Sequence, residues 1–169
     1  MADTISATVA DVPQVSTWSP PGWANSLMAR LLKTPGVERW VGSAIALITF
    51  KGRKSGKTYT TPITYLRSGN EVILLTKRFR VWWRNLLDVP KVSLRLAGRN
   101  VRGLAEVVDN EDEALPIFVN FLKERPRDAR AYGLSFDADG SIDLARARSV
   151  LPQIVVLRIR LVEPDDAGD

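Results

Sequence analysis

The residues best suited to chemistry lie between Phe50 and Leu66, which reads Phe-Lys-Gly-Arg-Lys-Ser-Gly-Lys-Thr-Tyr-Thr-Thr-Pro-Ile-Thr-Tyr-Leu. Four cations (Lys51, Arg53, Lys54, Lys57) and two hydroxyls (Ser55, Thr58) surround Gly52 and Gly56. Glycine lets the backbone turn where a Cβ would clash, so successive N–H groups can converge on an anion. Arginine adds a planar fork for phosphate or carboxylate oxygens, and lysine a mobile point charge. The chemistry these types imply is a grip on the anionic tail of a small molecule.

A Walker A loop is excluded. It requires four residues between its first glycine and Gly-Lys-Ser/Thr, and it opens a helix. Here three residues separate Gly52 from Gly56, and Tyr59-Thr60-Thr61-Pro62-Ile63-Thr64-Tyr65 is strand-forming. The competing readings are a solvated basic turn that binds nothing and a nuclear-localisation run. The second is opposed by the shortness of the run and its interruption by Gly and Ser.

The chain has 169 residues, with neither Cys nor His. Disulfides and thiolate metal sites are absent, as are the commonest general base and the commonest metal ligand. Catalysis would fall to carboxylates, Tyr, Lys or a bound cofactor; no metal site is expected. Charge is unevenly spread. Residues 51–102 carry thirteen Lys and Arg against Glu71 and Asp88 alone, whereas the segment after residue 102 is net acidic. Such a region repels itself unless anions visit it. Its aromatic residues are not interleaved with cations on a recognisable nucleic-acid-binding sheet, so nucleic acid is not the expected partner. The longest apolar run, Val41 to Phe50, is too short to span a bilayer. The expected setting is cytoplasmic.

The elements that must position the basic stretch follow from the pattern around it. Residues 1–21, with Pro13, Pro20 and Pro21, read as a loose arm. From Trp23 to Lys33, Trp23, Leu27, Met28, Leu31 and Leu32 share a helical face. That face packs on the core, covers an apolar substrate or leans on a membrane surface. Ala44–Phe50 reads as a strand, Thr58–Leu66 as its partner with Pro62 marking an edge or bulge, and Glu71–Lys77 as a third strand. Val81–Asp88 is a short helix, and Lys91–Leu96 and Val101–Val108 a hairpin turned at Gly98-Arg99-Asn100. Glu111–Arg125 is a helix, acidic early and basic late, and Arg127–Gly133 a shorter one. Ile154–Leu161 is the last strand. The fold class expected is mainly β with flanking helices (α+β), about six antiparallel strands forming a small barrel. The expected organisation is a single domain over residues 22–163 and a tail at 164–169.

The order Leu-Ile-Thr-Phe-Lys-Gly-Arg-Lys-Ser-Gly-Lys, Thr-Thr-Pro, Thr76-Lys77 and Trp82-Trp83-Arg84-Asn85-Leu86 before Pro90 resembles the deazaflavin-dependent nitroreductase family. Residues 27–108 carry the resemblance, with Leu151 to Val156 following more loosely. It implies a split β-barrel like those of flavin reductases and pyridoxamine-phosphate oxidases. It also implies coenzyme F420, a 5-deazaflavin with a phosphodiester and a polyglutamate tail. Reduced F420 would pass hydride to a small-molecule acceptor such as a quinone, nitro compound or enone. The protein then supplies position and electrostatics, which needs no histidine.

By the same resemblance, Arg53, Lys54, Ser55, Gly56 and Lys57 match the turn that binds tail and phosphate. Thr61 and Pro62 match the segment beside the ring, and Thr76 and Lys77 the strand end near the phosphate. Trp82, Trp83 and Asn85 match the helix start behind the cofactor. Trp23, Tyr65 and Tyr132 are the candidates to meet the acceptor, with Tyr132 or Thr76 donating a hydrogen bond to it. The family usually has a longer Gly- and Pro-containing loop where this chain has only Arg78-Phe79-Arg80-Val81. Alternatives are FMN in the same barrel, and a non-enzymatic binder of deazaflavin or lipid that touches the membrane through the Trp23–Lys33 helix. Barrels of this kind often form a homodimer across a sheet face.

Overall fold

The computed structural model describes residues 45–162. The arm at 1–21, Trp23 and its helix, and the tail at 164–169 lie outside the described residues. Seven antiparallel strands form one sheet: β1 (Ile45–Lys51), β2 (Thr58–Thr64), β3 (Leu66–Ser68), β4 (Glu71–Lys77), β5 (Lys91–Leu96), β6 (Arg99–Val108) and β7 (Ile154–Val162), in the order β2-β1-β5-β6-β7-β4-β3. A turn of 3-10 helix (Val81–Arg84) leads into α1 (Asn85–Asp88). Helices α2 (Glu111–Glu124), α3 (Pro126–Ala129) and α4 (Leu144–Val150) complete the fold.

The strand expected over Thr58–Leu66 is two strands. β2 pairs with β1 and β3 with β4, so the chain changes sides of the sheet at the buried Tyr65. This corner raises the expected six strands to seven. β2 is an edge strand, which tolerates Pro62 opposite Leu47 although proline has no N–H to donate. No backbone ladder joins β2 to β3 or β4 among the described residues. The barrel is split along that seam.

Alternation along β7 divides two hydrophobic layers. Val155, Leu157, Ile159 and Leu161 join Ile48, Leu74 and Leu94 inside the barrel. Ile154 and Val156 face outward, onto Phe118, Phe121 and Leu122 of α2 and Val150 of α4. Asn110 caps α2: its side chain accepts from the N–H groups of Asp112 and Glu113 at 2.9 and 3.1 Å. The helix expected over Arg127–Gly133 is α3 followed by a 3-10 turn that ends at Gly133, whose φ is 70°. The β5–β6 turn is Ala97-Gly98 rather than Gly98-Arg99-Asn100, with Leu96 paired to Arg99. Both turn residues have positive φ, 44° and 81°.

Candidate functional site

The basic turn between β1 and β2 is closed by its own backbone. The Gly52 N–H donates to the Lys57 carbonyl and the Gly56 N–H to the Gly52 carbonyl, each at 2.8 Å. Gly56 has a φ of 64°, where an L side chain is strained. A Cβ on Gly52 would come within 2.6 Å of the Tyr59 ring and 2.7 Å of Ser55 Oγ. The Ser55 hydroxyl lies 3.2 Å from that of Tyr59 and accepts from the Lys57 N–H at 3.3 Å.

Asn85 latches this turn to the helical segment. Its Oδ1 accepts from the Arg53 N–H at 3.0 Å, and its Nδ2 donates to the Trp82 carbonyl at 2.7 Å. Arg53 also pairs with Asp88 at 3.3 Å. That pair is exposed and adds little stability, but it aligns the guanidinium. The result is a cavity of about 530 Å³, walled by Gly52–Ser55 on one side and by Val81, Trp82, Arg84 and Asn85 on the other. Its floor is aromatic: the Phe50 ring lies 6.0 Å from that of Tyr59 and 5.5 Å from that of Trp82.

Trp82 also borders a second cavity, of about 330 Å³, at the seam of the split barrel. Pro62 and Thr64 of β2 face Leu75, Thr76 and Lys77 of β4 there, with Arg80, Asp128 and Tyr132 completing the walls. Thr76 falls on the interior face with Val72 and Leu74 and is 5% exposed. Its Oγ1 and the Arg80 Nε are both buried without a hydrogen-bond partner. Burial, and secondarily the Arg80 charge, lower the pKa of Lys77. Burial, reinforced by Asp128, pushes the Tyr132 phenol up to about 12. Tyr132 is therefore a neutral O–H donor at any ordinary pH.

The expected site residues thus fall into two groups on either side of Trp82. Arg53, Lys54, Ser55, Thr61 and Asn85 line the first cavity; Pro62, Thr76, Lys77 and Tyr132 line the second. Lys77 lines the second cavity and not the first. Gly56 and Lys57 sit exposed at the end of the turn. Tyr65 and Trp83 are buried in the barrel core and line neither cavity. Trp83 lies behind Trp82, its Nε1 donating to the Arg78 carbonyl at 3.3 Å. Sequence reasoning missed Arg80, whose burial is a tertiary property, and Phe50 and Tyr59, which read as ordinary strand residues. No cluster of three metal-ligating side chains occurs among the described residues.

A family model described as F420H(2)-dependent quinone reductase matches residues 24–134, which include the turn, Trp82 and Tyr132. The chain belongs to that family. It is an oxidoreductase, and coenzyme F420 is its cofactor. Solved structures agree on the architecture. An F420-H2 dependent reductase (FDR-A) is 17% identical over 69% of this chain and 94% of its own, with a TM-score of 0.50. HutZ, the haem storage protein of Vibrio cholerae, is 12% identical over 78% and 92%, with a TM-score of 0.52. At such identities the likeness shows the split-barrel fold alone. No curated protein matches the chain. No helix among the described residues is long and apolar enough to cross a membrane.

Proposed function

We propose that this reductase holds the anionic tail of F420 on Arg53, Lys54 and Lys57, with the deazaflavin ring against Trp82, Thr61 and Pro62. The acceptor, a quinone, nitro compound or enone, enters the second cavity. The observation that carries this reading is the pair of cavities meeting at Trp82, one rimmed by cations and one by buried polar groups. Two features suit the cofactor: a turn packed so closely on Tyr59 and Ser55 that only glycine fits at position 52, and a cationic rim of Arg53, Lys54 and Arg84 that suits a polyanion.

F420 supplies hydride when bound in its reduced form, and the chain's own residues do the rest. The turn cations bind and orient through charge-assisted hydrogen bonds. Trp82, which borders both cavities, and Pro62 and Leu75 of the second offer apolar walls to the ring and the acceptor. The Tyr132 phenol donates a hydrogen bond to the acceptor oxygen on which charge develops. Titration of the purified protein with F420 and with FMN, read by tryptophan fluorescence, tests the reading. F420 is expected to quench at concentrations about tenfold lower than FMN, whose lone phosphate engages fewer cations. Equal or preferential quenching by FMN would refute the tail assignment.

A further inference from the structure

Arg125 lines neither cavity, yet its side chain joins elements that wall the second one. No backbone ladder crosses the seam among the described residues, so side chains must hold the walls of that cavity in place. One wall is β2, with Pro62 and Thr64, which ends at the Tyr65 corner. Another is α3 with its 3-10 turn, which brings Asp128, Ala131 and Tyr132. Arg125 sits between α2 and α3 and reaches both walls. Its Nε donates to the Asp128 carboxylate at 2.7 Å and its Nη1 to the Tyr65 carbonyl at 3.5 Å.

The clamp is well supported. The guanidinium lies 5.9 Å from the centre of the Phe121 ring, and the Asp128 N–H donates back to the Arg125 carbonyl at 2.9 Å. The Arg125 side chain is 16% exposed, so its pair with Asp128 is less screened than a surface ion pair. An arginine fork can hold two acceptors in fixed directions, which a lysine point charge cannot. Four residues beyond Asp128, Tyr132 meets the Phe118 ring edge-on, with centroids 5.6 Å apart. The place of its phenol therefore depends on that packing and on the turn that carries it. Of the charges that face the phenol, Asp128 of α3 raises its pKa, whereas Arg125 and Arg80 of the loop after β4 lower it. We infer that Arg125 is a positioning residue of this reductase: by tying Asp128 to the Tyr65 corner it holds α3 against the strand side of the seam, and so sets Tyr132 where an acceptor meets it. The inference rests on the proposed function only for the role of Tyr132 as donor; the clamp itself is measurable without F420.

Two measurements on the full chain test it. The first is NMR of protein isotope-labelled at tyrosine, with Tyr132→Phe and Tyr59→Phe identifying their signals. Arg125→Gln should move the Tyr132 signal and leave that of Tyr59, which lines the other cavity, in place. Arg125→Lys keeps the charge without the fork, should move it less, and keeps the test available if Arg125→Gln does not fold. The second is steady-state turnover with reduced F420 and menadione as the probe acceptor. Arg125→Gln should lower kcat on the order of tenfold with F420 affinity within about twofold of wild type, because a displaced donor fails in the transition state. Arg125→Lys should recover part of that loss. In the Tyr132→Phe background Arg125→Gln should cost nothing further, since it acts through the phenol.

An unmoved Tyr132 signal, or losses from Arg125→Gln and Tyr132→Phe that multiply, overturns the inference and leaves the proposed function standing. A Tyr132→Phe variant as fast as wild type would instead refute the donor role in the proposed function, and the tyrosine spectrum then decides the clamp alone.

Discussion

Gly52, Lys54 and Tyr132 each answer to a different physical constraint. Lys54 lines the first cavity from an exposed position, so Lys54→Ala should weaken F420 binding by about tenfold with an unchanged melting temperature. Unfolding of that variant would make the turn structural instead. Gly52→Ala would drive a Cβ into the Tyr59 ring and Ser55 Oγ. The turn must shift, and F420 affinity should fall further than for Lys54→Ala. For Tyr132 the prediction is in pH. Its phenol titrates near 12 in the folded chain and near 10 when unfolded. The unfolded state therefore binds fewer protons between pH 10 and 12, so the stability contributed below pH 10 is lost as pH rises through that window. Relative to Tyr132→Phe, the wild type should lose roughly 2–3 kcal/mol there, measured by denaturant melts at each pH.

At the scale of elements, the hairpins were legible and the corners were not. The alternation of Val155, Leu157, Ile159 and Leu161 puts these four on one face of β7, and that face is the barrel interior. The seam at Tyr65 was not legible, since nothing local says that β2 and β3 pair with different neighbours. Helix α4 was missed as well. Asp143 caps it, accepting from the Arg146 N–H at 3.0 Å, but seven residues give too little periodicity to read. The Ala97-Gly98 turn was placed one residue late because alanine rarely adopts a φ of 44°. Ala97→Asn should stabilise the fold by about 0.5–1 kcal/mol in thermal melts, because Asn-Gly suits a two-residue turn with both φ positive. Arg78 was likewise unread: its Nε donates to the Pro152 carbonyl at 2.8 Å and its Nη2 to that of Ile154 at 3.2 Å. This clasp fastens the end of β4 to the start of β7. Arg78→Ala should cost about 2–3 kcal/mol by the same measurement.

Over the whole molecule, the excess of cations between residues 51 and 102 was plain from the sequence, whereas its division between two cavities was not. The family motifs bring residues near one another without saying that Trp82 stands between the turn and Lys77. The claim at the centre is that the charged turn receives the tail of the cofactor. The most direct measurement compares the affinity of F420 with that of the tail-less deazaflavin, in the wild type and in the Lys54→Ala/Lys57→Ala double variant. The account predicts that the tail strengthens binding to the wild type on the order of a hundredfold, and that most of this gain disappears in the double variant. A tail that adds nothing to wild-type affinity, or a gain that survives loss of both lysines, would contradict it.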